Sequence, residues 1–396
     1  MARVQISFLG RSPKGVDGYR KTRYCFADSV EAEPTAFFGW ALRNRIQPER
    51  LVILGTSGSM WDHLVETVAA NTGDEDLRLE LIAATEAKAV SADLLARAEP
   101  LLSECVGIPI HLNLIPYGQD EAEQIEILRA LAAHVARHDE VVLDVTHGFR
   151  HLPMLGLISA LYLRDAVKSQ IKGIYYGLFD PDTGMAQVYE LSGLLHLADW
   201  AQAVARYDQS ADYGVFVPLL AKDGIGDDKL AALKRAAYYE RTFNVSQARQ
   251  SLGTFLPVLD GDLGPTAALF APALKERMSW VKSNHLVAHQ KSLAWLFLEQ
   301  RDYPRACIFA QEAFITSLLR ADERAFEYAT RDKAITEFHD GKRGEKSLRA
   351  AYGRLTKFRN AFAHGNRPSM ASDATITKDE EKVAEELRSL LDVLLR

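Results

Sequence analysis

The most constraining feature is a set of short apolar runs that do not alternate with polar residues. Leu51-Val52-Ile53-Leu54 closes on Gly55, and Val141-Val142-Leu143 closes on Asp144. A strand with apolar side chains on both of its faces must be covered on both sides. Val4–Gly10, Ile110–Ile115, Ile171–Phe179 and Ala186–Leu191 also read as strands, and Tyr19–Phe26 as a strand of a hairpin attached to the main sheet. Helical spacing fills the gaps at Met60–Ala70, Gln119–Ala136 and Leu152–Leu163. Strand and helix in alternation imply right-handed crossovers and a Rossmann-like, mainly parallel α/β sheet.

After Ser192 the strand signals stop. Helices are expected at Gly193–Tyr207, 229–250, 266–282, 285–300, 304–320, 346–363 and 378–395, with loops at Asp260–Pro265 and His339–Gly344. A chain of 396 residues is too long for one ordinary core. The expected division is an α/β domain over 1–192, a helical linker over 193–228 and an all-α domain over 229–396.

Charge and cysteine narrow the function classes. The net charge of −6 argues against a chain-wide grip on nucleic acid, so any such contact must be local. Three scattered cysteines, Cys25, Cys105 and Cys307, form neither a disulfide framework nor a zinc pattern. Met1–Ile6 enters an apolar alternating run without the marks of a signal peptide, and Leu152–Leu163 is too short for a bilayer. The expectation is a cytoplasmic protein without membrane contact.

In an open parallel sheet, ligands bind beyond the carboxyl ends of the strands. Three loops there are small and polar: Gly10-Arg11-Ser12, Gly55-Thr56-Ser57-Gly58-Ser59, and Asp144-Val145-Thr146-His147-Gly148-Phe149-Arg150. Two lead into helices, where free backbone N–H groups favour an anion. Thr56, Ser57, Ser59 and Thr146 offer hydroxyls to a base or sugar. No Walker or GxGxxG phosphate motif is present, and helix capping is an equally good account of Ser57 and Ser59.

At the other end of the chain, Lys357-Phe358-Arg359-Asn360-Ala361-Phe362-Ala363-His364-Gly365 closes a helix. Arg359 and His364 are about 7.5 Å apart in rise and can border one cleft. Gly365 and Pro368 place the helix end near His364, where backbone carbonyls favour a cation. A histidine there suits acid–base work on a phosphodiester; Arg359 can bind phosphate bidentately and Asn360 adds a donor. The preceding basic residues Lys342, Arg343, Lys346, Arg349, Arg354 and Lys357 could receive RNA phosphates, and Tyr352 and Phe358 could stack on bases, though core packing suits both rings better. His285/His289 and His134/His138 are spaced i,i+4 but lack a metalloprotease glutamate, and read as surface or packing residues.

Asp144–Arg150 resembles the DxTHGFR signature of one branch of CRISPR-associated CARF proteins. Val4–Gly10, Tyr19-Arg20-Lys21-Thr22 and Leu51–Trp61 resemble that branch too, so the likeness covers roughly residues 1–200. It implies a dimer that binds cyclic oligoadenylate, the type III CRISPR messenger, through Gly10–Ser12, Gly55–Ser59 and Thr146–Arg150. A ring of four adenylates is favoured, with six as the alternative. Arg359-Asn360-x-x-x-His364 resembles the RxxxxH motif of HEPN ribonucleases. That likeness implies a metal-independent endoribonuclease acting on single-stranded RNA. The 2′-hydroxyl attacks phosphorus and leaves 2′,3′-cyclic phosphate and 5′-OH ends. His364 would be the acid/base or orienting group, Arg359 the phosphate binder and Asn360 a supporting donor, with no catalytic cofactor. A single motif per chain implies a homodimer or a larger assembly. Two other readings stand beside this one: a nucleotide-responsive regulator that binds RNA or a partner without cutting, and a sensor domain that slowly cleaves its own ligand.

Overall fold

The computed structural model describes residues 1–15, 18–28, 31–68, 74–148, 151–319, 324–325, 327–364 and 378–396. These fall into two compact units, Met1–Leu195 and His196–Arg396.

The first unit is built on nine strands: β1 (Arg3–Leu9), β2 (Lys14–Gly15), β3 (Gly18–Tyr19), β4 (Arg23–Cys25), β5 (Arg50–Gly55), β6 (Ile110–Leu114), β7 (Glu140–Asp144), β8 (Gln170–Phe179) and β9 (Met185–Glu190). Seven form one sheet in the order β4-β9-β8-β7-β1-β5-β6. β1 pairs parallel to β5 on one side and to β7 on the other; β6 and β8 extend the parallel set, and β9 runs antiparallel to β8. The chain thus leaves β1 in both directions, which makes its carboxyl end a topological switch point.

Six helices cover the two faces: α1 (Phe38–Ile46), α2 (Trp61–Val68), α3 (Glu75–Glu86), α4 (Ala92–Val106), α5 (Glu121–Ala132) and α6 (Leu152–Tyr162). The apolar run in β5 explains why both faces need cover. Leu51 and Ile53 pack with Trp61, Leu64, Leu95 and Leu102, whereas Val52 and Leu54 pack with Ile127, Leu131, Leu143 and Leu152 on the other side. Each side chain of the run is fully buried.

Two local expectations change. The Tyr19–Phe26 segment does not form one strand: Gly18–Tyr19 pairs with Lys14–Gly15 in a separate ribbon, and Arg23–Cys25 lies parallel to β9 at the sheet edge. α1, α3 and α4 occupy stretches without a strong sequence signal. α1 and α3 have little amphipathic contrast, and α4 carries Pro100.

The second unit is helical, with α7 (Gly193–Ser210) crossing from the first, then α8 (Val217–Lys222), α9 (Asp227–Arg241), α10 (Val245–Phe255), α11 (Pro265–Arg277), α12 (Leu286–Glu299), α13 (Tyr303–Ser317), α14 (Tyr328–His339), α15 (Lys346–Ala363) and α16 (Glu380–Leu394). Segment 193–228 is helical, and Trp200, Tyr207, Tyr213, Phe216 and Leu220 lie in the core of the second unit. Its large aromatic side chains bury too much surface for a solvated connector. The helix expected over 229–250 is two helices. Phe243 turns into the left-handed region at φ 62°, and Asn244 caps α10 by accepting from the Gln247 N–H. No described helix is long and apolar enough to cross a membrane.

Candidate functional site

A cavity of about 570 Å³ opens at the carboxyl ends of β1, β5, β7 and β8. Its wall includes Gly10, Arg11, Ser12, Thr56, Gly58, Ser59, Thr146, His147 and Gly148. The three loops singled out in the sequence therefore meet at one place. Ser57 is on the same turn but outside the wall; its backbone carbonyl accepts from the Val90 N–H at 3.4 Å. Phe149 and Arg150 lie outside the described residues.

The loops are locked to one another by backbone and hydroxyl groups. The Ser59 hydroxyl donates to the Leu9 carbonyl at 2.6 Å and accepts from the Thr56 N–H at 3.0 Å. The Met60 N–H donates to the Gly10 carbonyl at 2.9 Å. The Thr146 N–H donates to Asp144 Oδ1, and Thr146 Oγ1 accepts from the Gly177 N–H, both at 2.9 Å. Ser59 and Thr146 thus hold the wall in shape; neither hydroxyl stands idle awaiting a ligand. Glycine is required where the loops touch: a Cβ on Gly10 would lie 2.5 Å from the Gly148 nitrogen, and Gly148 itself sits at φ 110°.

His147 Nε2 accepts the Phe38 N–H at 3.0 Å. The proton of the neutral ring must then sit on Nδ1. Burial, with a smaller contribution from His63, holds this imidazole down to about 4. The ring is a neutral strut with Nε2 already engaged, which weighs against a general-base role toward a ligand. Burial pushes the Asp144 carboxyl up to about 7, against the opposing pull of the Thr146 amide and the Thr146 and Ser7 hydroxyls.

Sequence reasoning missed the rest of the wall. Arg20 and Lys88 bring cations in addition to Arg11, and Tyr24, Tyr117, Tyr176 and Phe179 bring rings. The Arg20 guanidinium lies over the Phe179 ring, 3.9 Å from its centre. Cationic and aromatic groups around a neutral hydroxyl-lined floor fit a ligand with phosphates and bases. Arg20 stood inside a quoted segment, so its signal was present. Lys88 follows α3 with φ 54°, far from any motif, and nothing in the local sequence marks it.

In the second unit, Asn360 opens the last turn of α15 with Arg359 just before it, and His364 is the C-cap, with its N–H donating to the Asn360 carbonyl at 3.0 Å. All three side chains are exposed, and Arg359 Nη1 donates to Asn360 Oδ1 at 2.9 Å. Gly365 and Pro368 lie outside the described residues. Phe358 and Ala361 are buried, so the polar groups project from an anchored helix end.

Much of the basic stretch before them is already engaged. Arg343 is buried against Glu337 and donates to the Leu318 carbonyl at 2.9 Å. Arg349 donates to the Phe338 carbonyl at 3.1 Å, and Arg354 forms a two-pronged pair with Glu386. Tyr352 and Phe358 belong to the core and cannot stack on bases. His289 donates its Nε2–H to the Ser283 carbonyl at 2.6 Å, and the His134 ring stacks on that of His111 at 4.3 Å between centres; both are packing residues.

A Rossmann-like sheet with a cation-lined cavity at its switch point has its site where open α/β sheets bind ligands. Residues 4–180 match the family model of the CARF domain of the CRISPR system endoribonuclease Csx1. The match lies within the first unit, which is thus a CARF-type domain. The chain is similar to the CRISPR-associated protein MJ1674 of Methanocaldococcus jannaschii, at 23% identity over 424 aligned positions. That alignment takes in 98% of this chain and 66% of the relative, so the chain spans just under two thirds of the relative's length. Enterococcus italicus Csm6, solved with cyclic hexa-2′-fluoro-hexa-dAMP, is similar at 11% identity and a TM-score of 0.39, over 99% of this chain and 94% of that one.

Proposed function

We propose that the protein is a ribonuclease switched on by cyclic oligoadenylate. The observation that carries this reading is the cavity at the β1 switch point, where Arg11, Arg20 and Lys88 stand beside aromatic rings. A ring of four adenylates is larger than one such cavity, which favours two chains sharing one ligand. The ring would bind the active arrangement more tightly and shift the dimer toward it.

The effector is the exposed Arg359/His364 pair at the end of α15. Two copies facing each other would place two imidazoles and two guanidiniums around one phosphodiester. His364 would move protons between the 2′-hydroxyl and the leaving 5′-oxygen. Arg359 would stabilise the charge on the phosphoryl oxygens, and Asn360, held by Arg359, would orient it. The products would be 2′,3′-cyclic phosphate and 5′-OH ends, without a metal.

The test is a cleavage assay on labelled single-stranded RNA with cyclic tri-, tetra- and hexa-adenylate. One ring should stimulate cutting, and His364→Ala should abolish it while the ring still binds. Ring binding without cutting by the wild type would replace this reading with that of a non-cleaving regulator.

A further inference from the structure

A second pocket, of about 270 Å³, lies in the helical unit between the start of α10, α12, α13 and the segment before α14. Its floor holds an unmet need. Gln290 on α12 is only 5% exposed, and its Oε1 has no hydrogen-bond partner among the described residues. A buried amide oxygen left unpaired costs stability unless a donor arrives.

The charges in this pocket cancel. Arg331 Nη2 donates to Glu312 Oε2 at 2.6 Å, while Nη1 donates to Thr316 Oγ1 and to the Ala325 carbonyl. The guanidinium is thereby neutralised and held, so among the described lining residues no free cation faces a phosphate. One ring and two aliphatic side chains share the lining: Phe243, Val245 and Leu286. Phe243 is held at φ 62°, a costly conformation for an aromatic residue, and its ring remains partly exposed. A partly exposed ring lining the same pocket as a buried, unpaired amide oxygen suits a flat neutral group with polar edges.

The pocket is tied to the Arg359 helix. Gln311, next to Glu312 on α13, donates through Nε2 to Thr356 Oγ1 at 2.8 Å, and Thr356 is one turn before Arg359 on α15. Glu312, Arg359 and Arg331 all act electrostatically on the Tyr352 hydroxyl, so the two places share one neighbourhood.

We propose that the pocket lined by Phe243, Val245, Leu286, Gln290, Glu312 and Arg331 receives a base of the RNA strand, with Gln290 Oε1 accepting an N–H of the base edge. This rests on the ribonuclease reading for its ligand class. A carboxamide oxygen accepts from an exocyclic amino group or from a ring N–H. Adenine and cytosine offer the first and uracil the second, whereas N3-methyluracil offers neither.

The experiment measures anisotropy of fluorescent ten-nucleotide oligo(rU) and its N3-methylated counterpart on the whole chain, independently of cleavage. The wild type should bind oligo(rU) about ten-fold more tightly than the N3-methylated strand, and Gln290→Leu should bring the ratio within about two-fold. Gln290→Met serves as a second variant should the leucine chain fail to fold. Equal affinities in the wild type, or a preference that survives both substitutions, overturns the proposal. Cleavage is scored separately: a chain that shows the base preference but cuts no RNA retains the pocket and loses the ribonuclease reading.

Discussion

The imidazole of His147 accepts the backbone N–H of Phe38 at 3.0 Å, joining the loop after β7 to the first turn of α1 across 109 positions of sequence. Phe38 is fully buried, so its amide relies on the ring for a partner. His147→Ala should cost about 1–3 kcal/mol, the penalty for a buried donor left alone. The effect should also depend on pH. The folded ring titrates near 4 and the unfolded one near 6.5, so the unfolded chain binds the proton first as pH falls. The stability lent by His147 is complete above about 6.5 and is lost toward 4. Urea unfolding of both chains at pH 7 and pH 5 checks this: the gap between them should shrink at the lower pH.

How much of this could be read from residues alone follows from the range of the interactions. The β5 run announced a two-faced strand because all four of its side chains had to be buried. The three glycine- and hydroxyl-bearing loops announced the site because small residues after buried strands have few other uses. Lys88, Tyr117 and Phe179 could not be foreseen, since each reaches the cavity from an element with no local pattern pointing there. The hydroxyls misled in their detail: Ser59 and Thr146 looked available to a ligand, and only the folded backbone shows them holding Leu9 and Gly177. The basic stretch before Arg359 misled likewise, because the partners of Arg343 and Arg354 come from other helices.

Gly10 is the tightest point between two of the loops. An added Cβ would meet the Gly148 nitrogen at 2.5 Å and its Cα at 3.1 Å, and backbone atoms cannot swing aside as a side-chain tip can. Gly10→Ala should push the β1 and β7 loops apart, at a cost of about 1–3 kcal/mol for overpacking. Isothermal titration with cyclic tetra- and hexa-adenylate should show at least a ten-fold loss of affinity, on the order of 1.4 kcal/mol. Gly253→Ala on α10, outside the cavity wall and with nothing within 4 Å of its Cβ, serves as the control for an ordinary glycine substitution.

Arg354 and Arg359 sit five residues apart on α15 with opposite duties. Arg354 grips Glu386 of α16 with two prongs and lies over the Phe358 ring at 4.8 Å. Arg359 is exposed and touches only its neighbour Asn360 among the contacts described. Arg354→Ala should therefore destabilise the helical unit by about 1–3 kcal/mol. Arg359→Ala should leave stability within about 0.5 kcal/mol while removing RNA cleavage. Chemical unfolding and the cleavage assay on both variants separate the two; a large stability loss in Arg359→Ala would mean that the residue is structural.

Glu240 on α9 is the clearest internal acid–base liability of the helical unit. Its carboxyl is 1% exposed, and its Oε2 has no partner among the described residues. Burial pushes it up to about 8; the Tyr213 hydroxyl and the Arg305 charge pull it down without offsetting that burial, and Asp212 adds to the rise. The unfolded carboxyl ionises near 4.5, so between about 4.5 and 8 the folded chain holds a proton that the unfolded chain has released. Its contribution is therefore fully favourable below 4.5 and declines as pH rises through 8. Glu240→Gln keeps the shape and removes the ionisation. Thermal unfolding should show the variant melting a few degrees above the wild type at pH 8, with the two converging at pH 4.5. A difference that does not change with pH would show that the carboxyl is not titrating in this range.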